Sequence, residues 1–380
     1  MKRNKFESYL IRVISKEEKG FLPLLVLGIL SLLEIVYLVL LNLRRGLTKE
    51  KTLPIPVISI GNLVAGGTGK TPTVVWLVTL LKQAGFTPAV LTRGYRAGAQ
   101  EEGLLFTNSD LEKLTPELSG DEPYLLAGLL PGTLIAVGRD RYRSALNALA
   151  AHPEIDLFVM DDGFQYLKLN RDLDILLLDA ALPFGNGHLI PRGTLREPLA
   201  GLKRADLVLL TRTAKLDPVA INSLTEYLQK YHAGVPVGIV REEHSELIPL
   251  RNWQQEALAI SASNYLNGKK VAAITGIGNP GQFLASLESL GAEVGYFKSY
   301  PDHYLWEASE IENLIVTLKD WGFQDLIVTG KDGVKLAAYL EKFQGLNLNC
   351  WMLSLEYIVD NEVIRNRITE VLRREVKAER

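Results

Sequence analysis

Apolar runs alternate with helical patterns from residue 56 onward. Most of the runs in the first half are continuously apolar rather than alternating, which is typical of parallel strands buried on both faces. The predicted strands are "VISIG", "PAVLTRG", "LIAVG", "IDLFVMDD", "LDILLLDA" and "ADLVLLT". Strands alternating with helices predict an α/β fold built on a doubly wound parallel sheet.

A second series of such runs follows a more polar segment. Residues 236–262 are more polar than the runs before them and are interpreted as a connector. Beyond it, "KKVAAIT", "EVGYFKSY", "DLIVTG" and "NCWMLSLEY" predict a second, smaller α/β domain. The predicted organisation is an N-terminal membrane-associated helical segment (1–52), the first α/β domain (53–235), the connector (236–262), the second α/β domain (263–358) and a C-terminal helix (359–380).

One apolar stretch precedes the first domain. Residues 21–43 read "FLPLLVLGILSLLEIVYLVLLNL", which is long enough to cross a bilayer, and Glu34 is the only charge in it. No small-residue cleavage site follows, so a removed signal peptide is not indicated. Three interpretations stay open: a spanning anchor, a helix in the membrane interface, or a long buried helix. Glu34 in mid-stretch favours the interface.

Composition narrows the function classes. The chain has 380 residues, 47% hydrophobic and 23% charged, which are globular values. Its formal net charge of -2 gives no support to a nucleic-acid partner. Cys350 is the only cysteine, so the chain cannot form an internal disulfide, and this fits a reducing compartment.

The loop after the first predicted strand is the strongest chemical signal. "VAGGTGKT" ends in the Gly-Lys-Thr of a phosphate-binding loop, or P-loop, although Val64 stands where the strict pattern has glycine. Glycines let backbone N–H groups turn toward phosphate oxygens, and the positive end of the next helix stabilises the anion. Lys70 is predicted to reach the β- and γ-phosphates and Thr71 to bind Mg²⁺. The predicted nucleotide-binding residues are Gly66, Gly67, Thr68, Gly69, Lys70 and Thr71.

Polar residues follow several other predicted strands. Asp161 and Asp162 end "IDLFVMDD", and paired carboxylates beside a P-loop suit a hard cation. Ligands collect at the carboxyl ends of strands in open α/β sheets. Three further clusters lie at such ends: "TRGYR" with Arg93, "SGDEP" with Asp121, and "FGNGHLIPRGTLREP" with Arg192, Arg196 and Glu197. "YPDHYLW" adds His303, one of only five histidines.

Two other glycine or lysine patterns do not support a nucleotide site. "GIGNPG" matches the dinucleotide fingerprint, but Lys298 stands where the ribose-binding acid belongs, so we interpret it as a tight strand–helix turn. "AKLD" has Ala214 in place of the asparagine that reads guanine in GTPases. Neither nicotinamide binding nor guanine specificity is therefore predicted.

Taken together, the motifs resemble the tetraacyldisaccharide 4'-kinase family, the lipid A 4'-kinases of Gram-negative bacteria. The matching stretches run in family order: "ISIGNLVAGGTGKTP", "LTRGYR", "GDEP", "VMDDGFQ", "RDLDILLLDA", "FGNGHLIPRGTLREP", "ITGIGNPGQF" and "YPDHYLW". The resemblance implies transfer of the γ-phosphoryl group of ATP, with Mg²⁺, to the 4'-hydroxyl of an acylated glucosamine disaccharide 1-phosphate, which forms lipid IVA.

The resemblance also implies an organisation and a set of roles. It implies two α/β/α domains that close over the nucleotide, on the cytoplasmic face of the inner membrane of a Gram-negative bacterium, and we expect a monomer that meets the membrane surface. The implied catalytic residues are Asp121, His303 and Lys70. In this family the aspartate orients and charges the imidazole, which helps to remove the hydroxyl proton. The implied metal residues are Thr71, Asp161 and Asp162, and the expected substrate-binding residues are Arg93, Asn62 and Arg196.

Two departures and one alternative accompany the resemblance. Tyr166 stands where the family often has histidine, and Gly330 replaces an acid in the late motif "TGKDGVK". The alternative is a membrane-associated ATPase of the ParA/MinD type, whose P-loop is similar but carries a signature lysine where this chain has Ala65.

Overall fold

The computed structural model describes residues 5–15, 17–95, 97–253, 259–302, 304–344 and 348–359, and also residues 365 and 368. The strands are β1 (Val57–Asn62), β2 (Pro88–Thr92), β3 (Leu104–Phe106), β4 (Leu134–Val137), β5 (Leu157–Met160), β6 (Leu173–Asp179), β7 (Leu207–Thr211), β8 (Val237–Glu243), β9 (Glu246–Pro249), β10 (Ile260–Ser261), β11 (Lys270–Thr275), β12 (Glu293–Ser299), β13 (Asp325–Thr329), β14 (Asn349–Leu353) and β15 (Glu356–Val359). The α-helices are α1 (Lys5–Ile14), α2 (Phe21–Leu47), α3 (Lys70–Gln83), α4 (Pro116–Ser119), α5 (Asp121–Leu129), α6 (Arg141–Ala151), α7 (Pro218–Tyr231), α8 (Ala262–Leu266), α9 (Pro280–Ser289), α10 (Ala308–Asp320), α11 (Gly330–Leu336) and α12 (Leu340–Gln344).

The chain divides into two compact units. The first comprises Met1–Leu91, Arg141–Arg241 and Ile358–Arg380, and the second comprises Thr92–Asp140 and Glu242–Tyr357. This division differs from the predicted domains, because residues 92–140 group with the second unit. Helix α5 packs against α11 of that unit, and Leu125 lies against the backbone of Gly330.

In the first unit, six parallel strands lie side by side in the order β8, β7, β6, β1, β5, β2. Strands β1 and β5 are buried along their whole length, as the continuous apolar runs predicted. Strand β1 lies between β5 and β6, so the chain winds to both sides of it. In doubly wound sheets the crevice at such a switch point is where ligands bind, outside the carboxyl ends of the strands.

The second unit contains a six-stranded mixed sheet. Its order is β10, β9, β14, β13, β11, β12, with β11 to β14 parallel and the β9 pairings antiparallel. The antiparallel pair β3 and β4 belongs to the same unit. Strands β8, β9 and β10 fall within residues 236–262, so the interpretation of this segment as a plain connector is wrong.

Helix α2 extends the predicted apolar stretch to Leu47. Only 6% of its most apolar 18-residue window is buried, so the buried-helix interpretation is wrong. Among the described residues, α2 is the one helix long and apolar enough to cross a membrane. Tyr37 and Leu38 pack against the core of the first unit, while Val36, Val39 and Leu40 are exposed. Most of the predicted C-terminal helix lies outside the described residues.

Candidate functional site

The predicted P-loop joins the end of β1 to the start of α3. Gly66 and Gly69 have φ of 129° and 85°, a backbone conformation that favours glycine. Helix α3 begins at Lys70, which places Lys70 and Thr71 in its first turn. The backbone N–H groups of a first helical turn have no intrahelical partner, so this end of α3 can bind an anion.

Asn62 lies beneath the loop at the end of β1. Its side chain is fully buried, and Nδ2 donates to the carbonyl of Val64 at 2.7 Å and to Thr68 Oγ1 at 2.8 Å. A third, longer contact reaches the carbonyl of Gly66 at 3.4 Å. We expected Asn62 to bind substrate, but a buried amide whose donors contact the loop supports a role in shaping the P-loop instead.

Strands β6 and β7 hold the loop from the other side. The hydroxyl of Thr211 donates to the carbonyl of Thr68 at 3.2 Å. The next residue, Arg212, has a φ of 57° and donates to the carbonyl of Gly67 at 2.5 Å. Its guanidinium is also paired with Asp179 at 2.6 Å. Sequence reasoning missed Arg212, although its position directly after the predicted strand "ADLVLLT" was the available signal.

Asp162 is the centre of a charged cluster facing the P-loop. Arg196 Nη1 donates to both carboxylate oxygens, at 2.8 and 2.9 Å, and Lys70 Nζ lies 3.6 Å from Oδ1. Burial alone would raise the pKa of Asp162, but the Lys70 and Arg196 cations outweigh it and lower that pKa below its ordinary value. Asp162 is therefore ionised at neutral pH. Its φ of 48° is uncommon outside glycine, and such strain tends to occur at functional sites.

The predicted metal residues supply hard oxygen ligands. Asp161 is 3% exposed, Asp162 is ionised, and Thr71 is half-buried in the first turn of α3. Across the part of the chain that the structure describes, no cluster of three or more His, Cys, Asp or Glu side chains could hold a metal. Carboxylate and hydroxyl oxygens are the ligand types that Mg²⁺ takes together with water and phosphate oxygens, so the chemistry of Thr71, Asp161 and Asp162 fits this ion.

Glu197 organises the neighbouring polar contacts. Its side chain is 1% exposed. The carboxylate accepts two hydrogen bonds from Arg204, each at 2.9 Å, and one from Gln165 at 2.9 Å. It also accepts a hydrogen bond from Arg45 of α2. Gln165 also donates to the carbonyl of Asn62 at 2.8 Å. From the sequence we named Glu197 only as part of a polar cluster, and we assigned no role to Gln165. Both residues lie in motifs noted above, Glu197 in "FGNGHLIPRGTLREP" and Gln165 in "VMDDGFQ".

Tyr166, which stands where the resembled family often has histidine, is buried. The guanidinium of Arg141 lies 4.7 Å from its ring centroid, a cation–π contact. Arg141 is also near the backbone carbonyl of Asp162, at 3.5 Å, and its charge helps to lower the pKa of the Asp162 carboxyl. Tyr166 thus supports the Asp162 cluster through Arg141.

The second unit carries Asp121 at the first position of α5. Lys335, almost fully buried, lies 3.1 Å from Asp121 Oδ2 and donates to the carbonyl of Tyr304 at 3.3 Å. Sequence reasoning missed Lys335, which connects α5 to the loop after β12. His303 lies outside the described residues, and its pairing with Asp121 stays a prediction.

Asp332 lies deeper in the same unit. It is fully buried and accepts hydrogen bonds from Thr275 at 3.0 Å, Thr329 at 2.6 Å and the backbone N–H of Gly276 at 3.0 Å. Burial raises the pKa of this carboxyl. Asp332 therefore fixes the turn of "GIGNPG", and this agrees with our interpretation of that stretch as a structural turn.

The predicted residues thus divide between the two units. Asn62, the P-loop, Asp161, Asp162 and Arg196 lie together in the first. Arg93, which is exposed, and Asp121 belong to the second. Arg192 lies on the first unit, where it faces Glu34 of α2 at 3.8 Å rather than the P-loop cluster.

Comparisons with known proteins agree on one family. A profile of the family described as Tetraacyldisaccharide-1-P 4'-kinase matches residues 25–373. A tetraacyldisaccharide 4'-kinase of Halothermothrix orenii is 35% identical, over 93% of this chain and 94% of its own length. One of Geobacter metallireducens is 38% identical, over 84% and 91%. A crystal structure of LpxK from Aquifex aeolicus in complex with ATP has a TM-score of 0.72 and 31% identity, and the match covers 92% of this chain and 99% of that one.

Proposed function

The chain belongs to the tetraacyldisaccharide-1-P 4'-kinase family, and we propose that it transfers the γ-phosphoryl group of ATP to the 4'-hydroxyl of a tetraacyldisaccharide 1-phosphate in lipid A biosynthesis. The observation that carries the chemistry is the cluster at the P-loop, where Lys70 and Arg196 converge on the ionised carboxylate of Asp162. Phosphoryl transfer depends on positioning and on neutralising phosphate charge, and such a cluster supplies both.

The nucleotide site is formed by the P-loop and the start of α3. The backbone of Gly66, Gly67, Thr68 and Gly69 encloses the phosphates, and Lys70 contacts the β- and γ-phosphates. Asn62 and Arg212 keep the loop in shape from below and from the side. The related structure in complex with ATP supports this nucleotide.

Thr71, Asp161 and Asp162 would hold Mg²⁺ when it is bound. The ion would supply positive charge that offsets the negative charge of the phosphates during transfer. Lys70 and Arg196 pair with Asp162, and Lys70 is the lysine of the P-loop. These two cations therefore act in two ways, because they keep Asp162 ionised and also stabilise negative charge that develops during transfer.

The transfer step forms one bond and breaks one. The 4'-hydroxyl oxygen attacks the γ-phosphorus, the bond to the β–γ bridging oxygen breaks, and ADP leaves with that electron pair. The hydroxyl proton passes to His303, with Asp121 orienting and charging the imidazole, as the family resemblance implies. Lys335 holds the carboxylate of Asp121 in place at the start of α5.

Helix α2 brings the enzyme to its acceptor. A lipid acceptor stays in the bilayer, and the exposed apolar face of α2 is suited to the boundary between headgroups and acyl chains. The exposed Arg44 in its last turn suits anionic headgroups. We propose that α2 lies in the interface, on the cytoplasmic face of the inner membrane, where ATP is available.

The test measures ADP release by the full-length protein in detergent, with MgATP and with or without the acylated disaccharide 1-phosphate. The proposal predicts that ADP release depends on the acceptor and is lost in Lys70→Met. ADP release that is independent of this lipid, or that requires only empty vesicles, would overturn the proposal in favour of a membrane-switch ATPase.

A further inference from the structure

Helix α2 contacts one short segment of the first unit through three polar side chains. Glu34 accepts a hydrogen bond from the backbone N–H of Leu189 at 2.7 Å. The hydroxyl of Tyr37 donates to the backbone carbonyl of Arg196 at 2.8 Å, and Arg45 pairs with Glu197. One face of one helix therefore binds both ends of residues 188–197.

The spacing of these contacts is helical. Tyr37 and Arg45 follow Glu34 by three and eleven residues, which is close to one and three turns of an α-helix. The three side chains therefore lie on one side of α2. An ionised group within an apolar stretch is costly in hydrocarbon. Here Glu34 faces His188 Nδ1 at 3.3 Å and Arg192 at 3.8 Å. The charge in this apolar helix is thus directed at the protein and away from lipid.

The bound segment ends in the nucleotide site. Arg196 reaches from it to both carboxylate oxygens of Asp162. Glu197 accepts from Gln165, which donates to the carbonyl of Asn62 beneath the P-loop. A tyrosine hydroxyl is protonated at neutral pH, and burial raises the pKa of Tyr37 further, so the hydroxyl is the donor to the carbonyl of Arg196. A continuous set of hydrogen bonds therefore runs from α2 to the P-loop.

We propose that Tyr37 is a positioning residue of the kinase site, which holds the backbone of Arg196 so that its guanidinium keeps Asp162 beside Lys70. The membrane-facing helix thereby sets the geometry of the nucleotide site in addition to holding the enzyme at the bilayer. This inference rests on the proposed function. The assay of lipid phosphorylation by the wild-type protein tests that function separately from the variants below.

The test is a double-mutant cycle on the full-length protein. Tyr37→Phe and Arg196→Ala are made singly and together, and Tyr227→Phe, a hydroxyl deletion at a 45% exposed site on α7, is the matched control. Each variant is assayed for kcat, for KM toward the lipid acceptor, for MgATP affinity and for binding to vesicles of anionic phospholipid. Melting temperature confirms that each variant is folded.

Tyr37→Phe should lower kcat by about three- to tenfold, the loss expected for one hydrogen bond, with acceptor KM and vesicle binding unchanged. In the Arg196→Ala background the same change should cost less than about twofold, because the positioned group is gone. Equal losses in both backgrounds, an unchanged kcat, or a loss confined to vesicle binding and acceptor KM would overturn the inference.

The cycle stays decisive even if wild type phosphorylates no lipid. That result would refute the proposed function alone. The affinity for MgATP would then be the quantity compared in the cycle. If Tyr37→Phe weakens MgATP binding only when Arg196 is present, the positioning role is supported. Any other pattern contradicts it.

Discussion

Replacing Asn62 by alanine is expected to weaken ATP binding and to leave the KM for the lipid acceptor unchanged. The side chain is fully buried, and its amide donates to the carbonyl of Val64 and to the hydroxyl of Thr68. Alanine lacks the amide, so the carbonyl of Val64 and the hydroxyl of Thr68 each lose the hydrogen bond that Asn62 donates. The P-loop then loses the contacts that fix its shape before ATP arrives.

The magnitude follows from these two short hydrogen bonds, at 2.7 and 2.8 Å. Each is worth about 0.5–1.5 kcal/mol net, which gives about 1–3 kcal/mol in total. If the P-loop alone loses this free energy, the Kd for MgATP rises by between about fivefold and about 150-fold. The part that falls on the fold appears instead as a lower melting temperature.

The assay is calorimetric titration of MgATP into wild type and Asn62→Ala, with acceptor KM measured at saturating ATP. Asn222→Ala, at an exposed position on α7, is the matched control and should change neither constant. An unchanged Kd for MgATP together with a raised acceptor KM would refute the reasoning and return Asn62 to the substrate site.

Three further predictions concern charged residues. Lys70→Ala should abolish lipid phosphorylation with little change in melting temperature; near-normal turnover would contradict the P-loop assignment. In Arg196→Ala the stability lost at neutral pH should be about 1 kcal/mol, because the pair with Asp162 is partly exposed. Because the pKa of Asp162 is lowered in the folded state, this difference should be full above about pH 5 and shrink as pH falls below about 4; a difference that grows in acid would contradict it. Asp121→Ala and His303→Ala should each reduce kcat strongly, and the double variant should be little worse than the slower single one; additive losses would argue against a coupled pair.

The sequence predicted the features that depend on local pattern. The glycine loop between a buried strand and an apolar helix was placed correctly, because the glycine conformations at residues 66 and 69 and the start of α3 are encoded within a few residues. Asp162 was predicted beside Lys70 because both follow strands of one parallel sheet. In the structure Lys70 Nζ lies 3.6 Å from Asp162 Oδ1. The fold class is confirmed by the match to the related kinase structure.

Features that depend on distant pairing could not be predicted in this way. The contact of Glu34 with Leu189 joins residues 155 positions apart, and periodicity carries no information about it. The burial of Asn62 depends on the P-loop folding over it, so its type and position alone suggested a ligand contact. The grouping of residues 92–140 with the second unit depends on α5 packing against α11, which neither helix encodes alone.

The measurement that tests the central claim most directly is the fate of the labelled phosphate. Full-length protein in detergent is incubated with γ-labelled ATP, Mg²⁺ and the acylated disaccharide 1-phosphate, and the labelled lipid is isolated and mapped. The account predicts label in the lipid, on the 4' position, in wild type but not in Lys70→Ala. Label recovered only as free phosphate, or on another position of the lipid, would contradict it.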